Sequence, residues 1–111
     1  MDMSEDKQGT VMAVGLKGRL DAVQAKKVEE RLLKLIDSGE VRLVIDLGQV
    51  EYISSIGLRV LMLAAKRLKT VNGTVVVCAL SDPIKKVFDM AGFSTLFKIF
   101  PSRQEAVQAL G

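Results

Sequence analysis

The sequence predicts an α/β fold in which a mixed, mostly parallel sheet of four to five strands packs with about four helices. Three observations carry that expectation. Runs rich in Val, Ile and Leu alternate with apolar stripes at helical spacing. The helical stripes open on Ser or Asp, and the first and third are followed by Gly, the residues that cap helix starts and ends. The strand–helix order recurs along the chain with no internal repeat and no low-complexity linker, so residues 1–111 are expected to form a single domain. Alternation of this kind calls for right-handed crossovers with helices on at least one sheet face.

Residues 1–9 are polar and weakly patterned, and are expected as an edge strand or a flexible tail. Thr10 to Leu16 carries apolar residues at 11–14 and 16, as a strand buried on both faces would. Gly18-Arg19-Leu20-Asp21 is read as the turn that follows. Asp21 with Gln24 is a capping box, and Ala25, Val28, Leu32, Leu35 and Ile36 form one helical stripe ended by Gly39. Val41 to Leu47 is a second buried strand, with Asp46 near its carboxyl end, where open α/β sheets usually place their sites. The next helix runs from Ser55 to about Thr70. Its Leu58, Leu61, Met62, Ala65 and Leu68 share the face assigned to the sheet, while Ile56, Val60 and Leu63, with Arg59 and Arg67 nearby, lie on roughly the opposite one. Asn72-Gly73 turns the chain into the strand Thr74–Leu80. Ser81-Asp82-Pro83 opens a short helix ended by Gly92, Thr95–Phe100 is a last strand, and Pro101-Ser102 with Glu105 opens a terminal helix.

Composition narrows the functions available. Hydrophobic residues make up 49% and charged ones 26%, which is globular, and one Tyr with four Phe leaves an aliphatic core. The net charge of +3 is spread over several segments, with no basic block interleaved with aromatics, so no nucleic-acid partner is expected. No apolar run has the length of a membrane span and no signal-peptide pattern is present; no membrane association and a cytoplasmic location are expected. The lone Cys78 sits in an apolar strand and reads as a buried small hydrophobe. There is no His, which removes Ser–His and Cys–His nucleophile pairs and the commonest metal ligand. Phosphate loops and GxGxxG turns are absent too, so no catalytic residue, cofactor or metal is assigned. A phospho-aspartate receiver needs several acids gathered at its strand ends, and Asp46 stands nearly alone there.

What remains is the pair Ser54-Ser55 where a strand hands over to a helix. A helix start offers free N–H groups and a partial positive charge. Two readings stay open. Either hydroxyl caps the helix, worth about 1 kcal/mol; or one of them accepts a phosphate, which a helix start tolerates. The second reading gains from the apolar stripe beside it, since a partner covering Ile56, Val60 and Leu63 would have to desolvate the new charge. Gly57 in the first helical turn costs up to about 1 kcal/mol against Ala, a sign of close approach. Asp46 is read either as support for this corner or as a turn carboxylate.

Val44-Ile-Asp46-Leu, followed by Val50-Glu-Tyr-Ile-Ser-Ser55-Ile-Gly57-Leu-Arg-Val-Leu61, resembles the signature of STAS domains, specifically bacterial anti-sigma factor antagonists. Gly18-Arg-Leu-Asp21 and Leu80-Ser-Asp-Pro-Ile-Lys-Lys-Val-Phe-Asp-Met-Ala-Gly92-Phe resemble further family segments, so the likeness spans about residues 11–110. The resemblance implies a STAS-type sheet-and-helix domain that is not an enzyme. It implies an unphosphorylated form that binds an anti-sigma factor, typically a serine kinase of the ATPase fold, and so frees a sigma factor. Phosphorylation would dissolve that complex and a serine phosphatase would restore the active form. By position the phosphoacceptor is Ser55, with Ser54 as the alternative; Asp21, Asp46 and Gly57 support the site, and Ile56, Arg59, Val60 and Leu63 form the partner surface. Where the family often reads Asp-Ser-Ser-Gly-Leu, this chain reads Ser54-Ser55-Ile56-Gly57-Leu58, so Ser54 replaces an acid. The alternative is a STAS interaction module in another partner-switching pathway, not controlled by phosphorylation.

Overall fold

The computed structural model describes residues 1–111. Five strands, β1 (Asp2–Gln8), β2 (Val11–Leu20), β3 (Arg42–Ile53), β4 (Thr74–Cys78) and β5 (Ile99–Phe100), lie side by side in that order. β1 runs antiparallel to β2 and every other pair is parallel. Helices α1 (Ala22–Asp37), α2 (Ser55–Lys69) and α3 (Asp82–Met90) are the crossovers between the parallel strands, and α4 (Arg103–Leu110) closes the chain. The result is the α/β arrangement expected: a five-stranded mixed sheet, mostly parallel, with four helices.

The two sheet faces are filled unequally. Met12, Val14 and Leu16 of β2 and Leu43, Ile45 and Leu47 of β3 point to the face covered by α1, α2 and α3, where 23 buried residues form the main core. The alternate residues Val11, Ala13, Val44, Val76 and Cys78 meet only Ala106 of α4 and its neighbours. Period-two alternation with apolar residues on both sides gives the unbroken apolar runs seen in the sequence. α1 starts on Asp21, whose Oδ1 accepts from Gln24 N at 2.9 Å, and ends where Gly39 takes a left-handed φ of 107°. Ser102 Oγ accepts from Glu105 N at 3.2 Å to start α4.

Several boundaries differ from those expected. Gly18-Arg19-Leu20 does not turn the chain; it extends β2, with Gly18 paired to Val50 and Leu20 to Ile53. β3 does not stop at Leu47 but continues to Ile53. Two register shifts, after Gly15 and after Gly18, give β3 an extra residue each time, and such bulges bend a strand while keeping it paired. β4 pairs with β3 only as far as Asp46↔Cys78, so the second half of β3 leans on β2 alone. The last strand is two residues long rather than six. Phe93–Thr95 winds into a 3₁₀ turn instead, with Phe93 stacked on Phe97 at 5.7 Å and set edge-on to Phe88 at 5.9 Å.

Candidate functional site

Ser54 and Ser55 sit where the bent end of β3 enters α2. Ser54 is the N-cap residue, with extended backbone at φ −85° and ψ 167°. Its Oγ accepts from Gly57 N at 3.1 Å and donates to Leu20 O at 3.1 Å, and its own N–H donates to Leu20 O at 3.0 Å. Two hydrogen bonds thus tie the corner to the end of β2, and a third caps the first turn of α2. Ser55 is the first helical residue, exposed, and no side-chain hydrogen bond engages it. The two hydroxyls therefore differ: one is consumed by the cap, the other is free in solvent.

Gly57 is buried beneath them. A Cβ there would lie 2.8 Å from Leu20 Cγ, 3.0 Å from Leu20 O and 3.1 Å from Ile53 Cγ1. The close approach inferred from sequence is real, and it is an approach of the chain to itself, which holds the start of α2 against β2 and β3. Asp21, whose carboxylate starts α1, follows Leu20 directly, so the first turns of α1 and α2 begin from paired strand ends.

The stripe on α2 needs correction at Val60, which is only 4% exposed and belongs to the main core. The buried arc is Gly57, Leu58, Val60, Leu61, Ala64 and Leu68, rotated from the one expected because α2 packs against α1 as well as the sheet. Ile56 at 47% and Leu63 at 37% exposure stay on the surface, with Arg59 exposed between them. α2 carries Arg59, Lys66, Arg67 and Lys69 and no acidic residue. Lys66, Arg67 and Lys69 lie in its last turn, where they complement the helix dipole, and Arg67 also bonds Asp37 at 2.7 Å. Arg59 is in no ion pair.

Asp46 is not part of this corner. It lies seven positions before Ile53 on β3, about 20 Å along a strand at roughly 3.3 Å per residue. One oxygen accepts from Gly48 N at 2.9 Å and bridges the bulge; the other accepts from Arg103 Nε at 2.9 Å, across to α4. The carboxylate that sequence placed at a strand end is mid-strand and holds the thin face of the sheet together. Arg103 is 57 residues away in sequence, and only folding brings the two together. Cys78, paired with Asp46 in the sheet, is fully buried, and burial, reinforced by the Asp46 charge, pushes its thiol up from 9.0 to about 12. Tyr52, 41% exposed two residues before the cap, carries no motif signal of its own; its ring lies 4.4 Å from the Arg19 guanidinium of the paired strand. No group of His, Cys, Asp or Glu side chains is placed to hold a metal, and no helix is long and apolar enough to cross a membrane.

The model of the STAS domain family matches residues 3–106. The chain belongs to that family. Among its STAS relatives, BtrV of Bordetella bronchiseptica, assigned as an anti-sigma factor antagonist, is 38% identical over 109 residues, covering 98% of this chain and 94% of its own. The crystal structure of an anti-sigma factor antagonist from Mycobacterium paratuberculosis superposes with a TM-score of 0.90 at 24% identity, covering 98% of this chain and 92% of the other. The Bacillus cell fate determinant SpoIIAA in its phosphorylated form shares the fold at a TM-score of 0.78 and 16% identity, covering 99% of this chain and all of that one.

Proposed function

We propose that this STAS protein is an anti-sigma factor antagonist whose binding is switched off by phosphorylation of Ser55. The observation that carries the reading is the division of labour at the corner: Ser54 Oγ is held by Gly57 N and Leu20 O, while Ser55 Oγ is exposed and unengaged. The likeness to BtrV over almost the whole chain supports the antagonist role. In its unmodified state the chain binds an anti-sigma factor that is also a serine kinase of the ATPase fold, and so releases a sigma factor. The contact surface runs over Ile56, Arg59 and Leu63; buried Val60 supports it from below.

The kinase transfers the γ-phosphoryl group of ATP to Ser55. A bond forms from Oγ to phosphorus, the bond to the β-phosphate bridging oxygen breaks, and ADP leaves. The hydroxyl proton goes to a base supplied by the kinase, since no carboxylate of this chain hydrogen-bonds Ser55. The new charge of about −1.5 to −2 rests on a helix start with little strain, but a partner cannot cover it without desolvating it. A serine phosphatase reverses the step. The chain is a substrate of both enzymes and is not itself one. The test is to incubate it with its cognate kinase and ATP and map phosphate by mass spectrometry: phosphate on Ser55 is expected, and its absence from both Ser54 and Ser55 sinks the mechanism.

A further inference from the structure

We propose that Arg59 is a clamp for the phosphate on Ser55, folding back along α2 to hold it, so that modification both adds a charge and withdraws a cation from the partner surface. This rests on the reading of Ser55 as phosphoacceptor. Residues four apart on a helix lie one above the other, and side chains tilt toward the N-terminus, so Arg59 reaches over the turn that begins at Ser55. The acid-first, base-second order is the favourable one for an i, i+4 pair. A guanidinium also matches a phosphate with two parallel N–H donors.

Arg59 has no other occupation in the chain. Each of its charged neighbours on the outer face has an explanation that it lacks. Arg67 bonds Asp37, and Lys66 and Lys69 complement the carboxyl end of the helix dipole. Arg19, the other cation near the corner, is held over the Tyr52 ring. Arg59 stands one turn inside the amino end of a helix whose first turn holds no acid to pair with it. A phosphate on Ser55 supplies the missing anion. The four-residue spacing also means that the clamp closes within one rigid helix, with no rearrangement of the fold.

The decisive experiment installs phosphoserine at position 55 by genetic encoding and follows its second ionisation by phosphorus NMR. With Arg59 present the pKa should lie below the ordinary value of about 6. Arg59→Gln should raise it by about 0.3 units, the shift one i, i+4 ion pair supplies. Arg59→Lys should restore much of that. Lys66→Gln, an identical charge loss three turns along the same helix, should leave the pKa in place. Equal shifts in the two Gln variants, or none in Arg59→Gln, overturn the clamp. Kinase mapping reports separately: phosphate missing from Ser55 there defeats the functional reading, while the titration still judges Arg59 on the installed group.

Discussion

At the end of β3, Ser54 closes its hydrogen bonds on Leu20 and Gly57 and leaves Ser55 free beside exposed Ile56, Arg59 and Leu63. Where β4 ends, Asp46 closes its own on Gly48 and Arg103, one partner for each carboxylate oxygen. Both corners join a strand to what lies beyond it through one polar side chain with two partners. They differ in the neighbour. Beside Ser54 is an uncommitted hydroxyl on an exposed helix start; beside Asp46 is Cys78, buried and paired across the sheet. A closed network stabilises a sheet, whereas a site for chemistry needs one group that the fold does not consume.

The largest expected difference between the two corners is chemical access. The Cys78 thiol, raised from 9.0 to about 12, should ionise about a thousandfold less at neutral pH than an ordinary one. Iodoacetamide at pH 8 should therefore label the native protein about a thousandfold more slowly than the guanidinium-unfolded chain; rates within tenfold would show that the Asp46 corner opens readily. The same shift has a stability consequence of definite sign. A neutral thiol is kept in the fold, so its contribution is complete below pH 9.0 and is lost as pH rises toward 12. Melting temperature should fall across that window, and fall less in Cys78→Ala.

The second effect belongs to the open corner. Ser55→Asp should weaken binding to the anti-sigma partner by about 100-fold, near 2.8 kcal/mol, as a charge is carried into the interface. Ser55→Ala should bind like the parent protein and fail to dissociate when kinase and ATP are present. Equal affinity of the two variants, measured by calorimetry without ATP, would remove the contrast between the corners.

Much of the open corner was legible in the sequence because its signals are local. Asp21 with Gln24 and Ser102 with Glu105 each form the expected hydrogen bond, and α2 begins at Ser55 as read. Gly57 also announced a close approach, although the sequence could not say that the approaching atoms are those of Leu20 and Ile53. The closed corner was illegible for the opposite reason. Asp46 looked like a strand-end carboxylate because the bulges that carry β3 on to Ile53 are set by pairing with β2, not by the residues of β3 alone. Val60 was misplaced because the buried arc of a helix packed on two neighbours is wider than one stripe and is centred between them.

Asp46→Asn tests the closed corner directly. It removes the nearer of the two carboxylates that face Arg103, leaving the guanidinium, about one-third exposed, with only Asp6 at 3.9 Å. A loss of about 1.5 kcal/mol in denaturant stability is expected. Phosphorylation of Ser55 and partner binding should be unchanged, since the carboxylate lies far along β3 from α2. A binding defect at full folded population would instead tie the two corners together.

Ser54→Ala is the smallest change and the sharpest for the choice between the serines. Removing the cap hydroxyl takes away the bonds to Gly57 N and Leu20 O, and should cost about 1 kcal/mol of stability. The backbone bond from Ser54 N to Leu20 O needs no side chain and should keep the corner in register. Phosphate should then still be found on Ser55, at a rate within a few-fold of the parent. If Ser54→Ala instead abolishes labelling while the protein stays folded, the acceptor is the residue at the cap. Phosphorylation would then have to break the Ser54 Oγ bonds that start α2, and the switch would act by fraying a helix rather than by charging a surface. Circular dichroism separates the two: an intact α2 in the phosphorylated parent accords only with modification at Ser55.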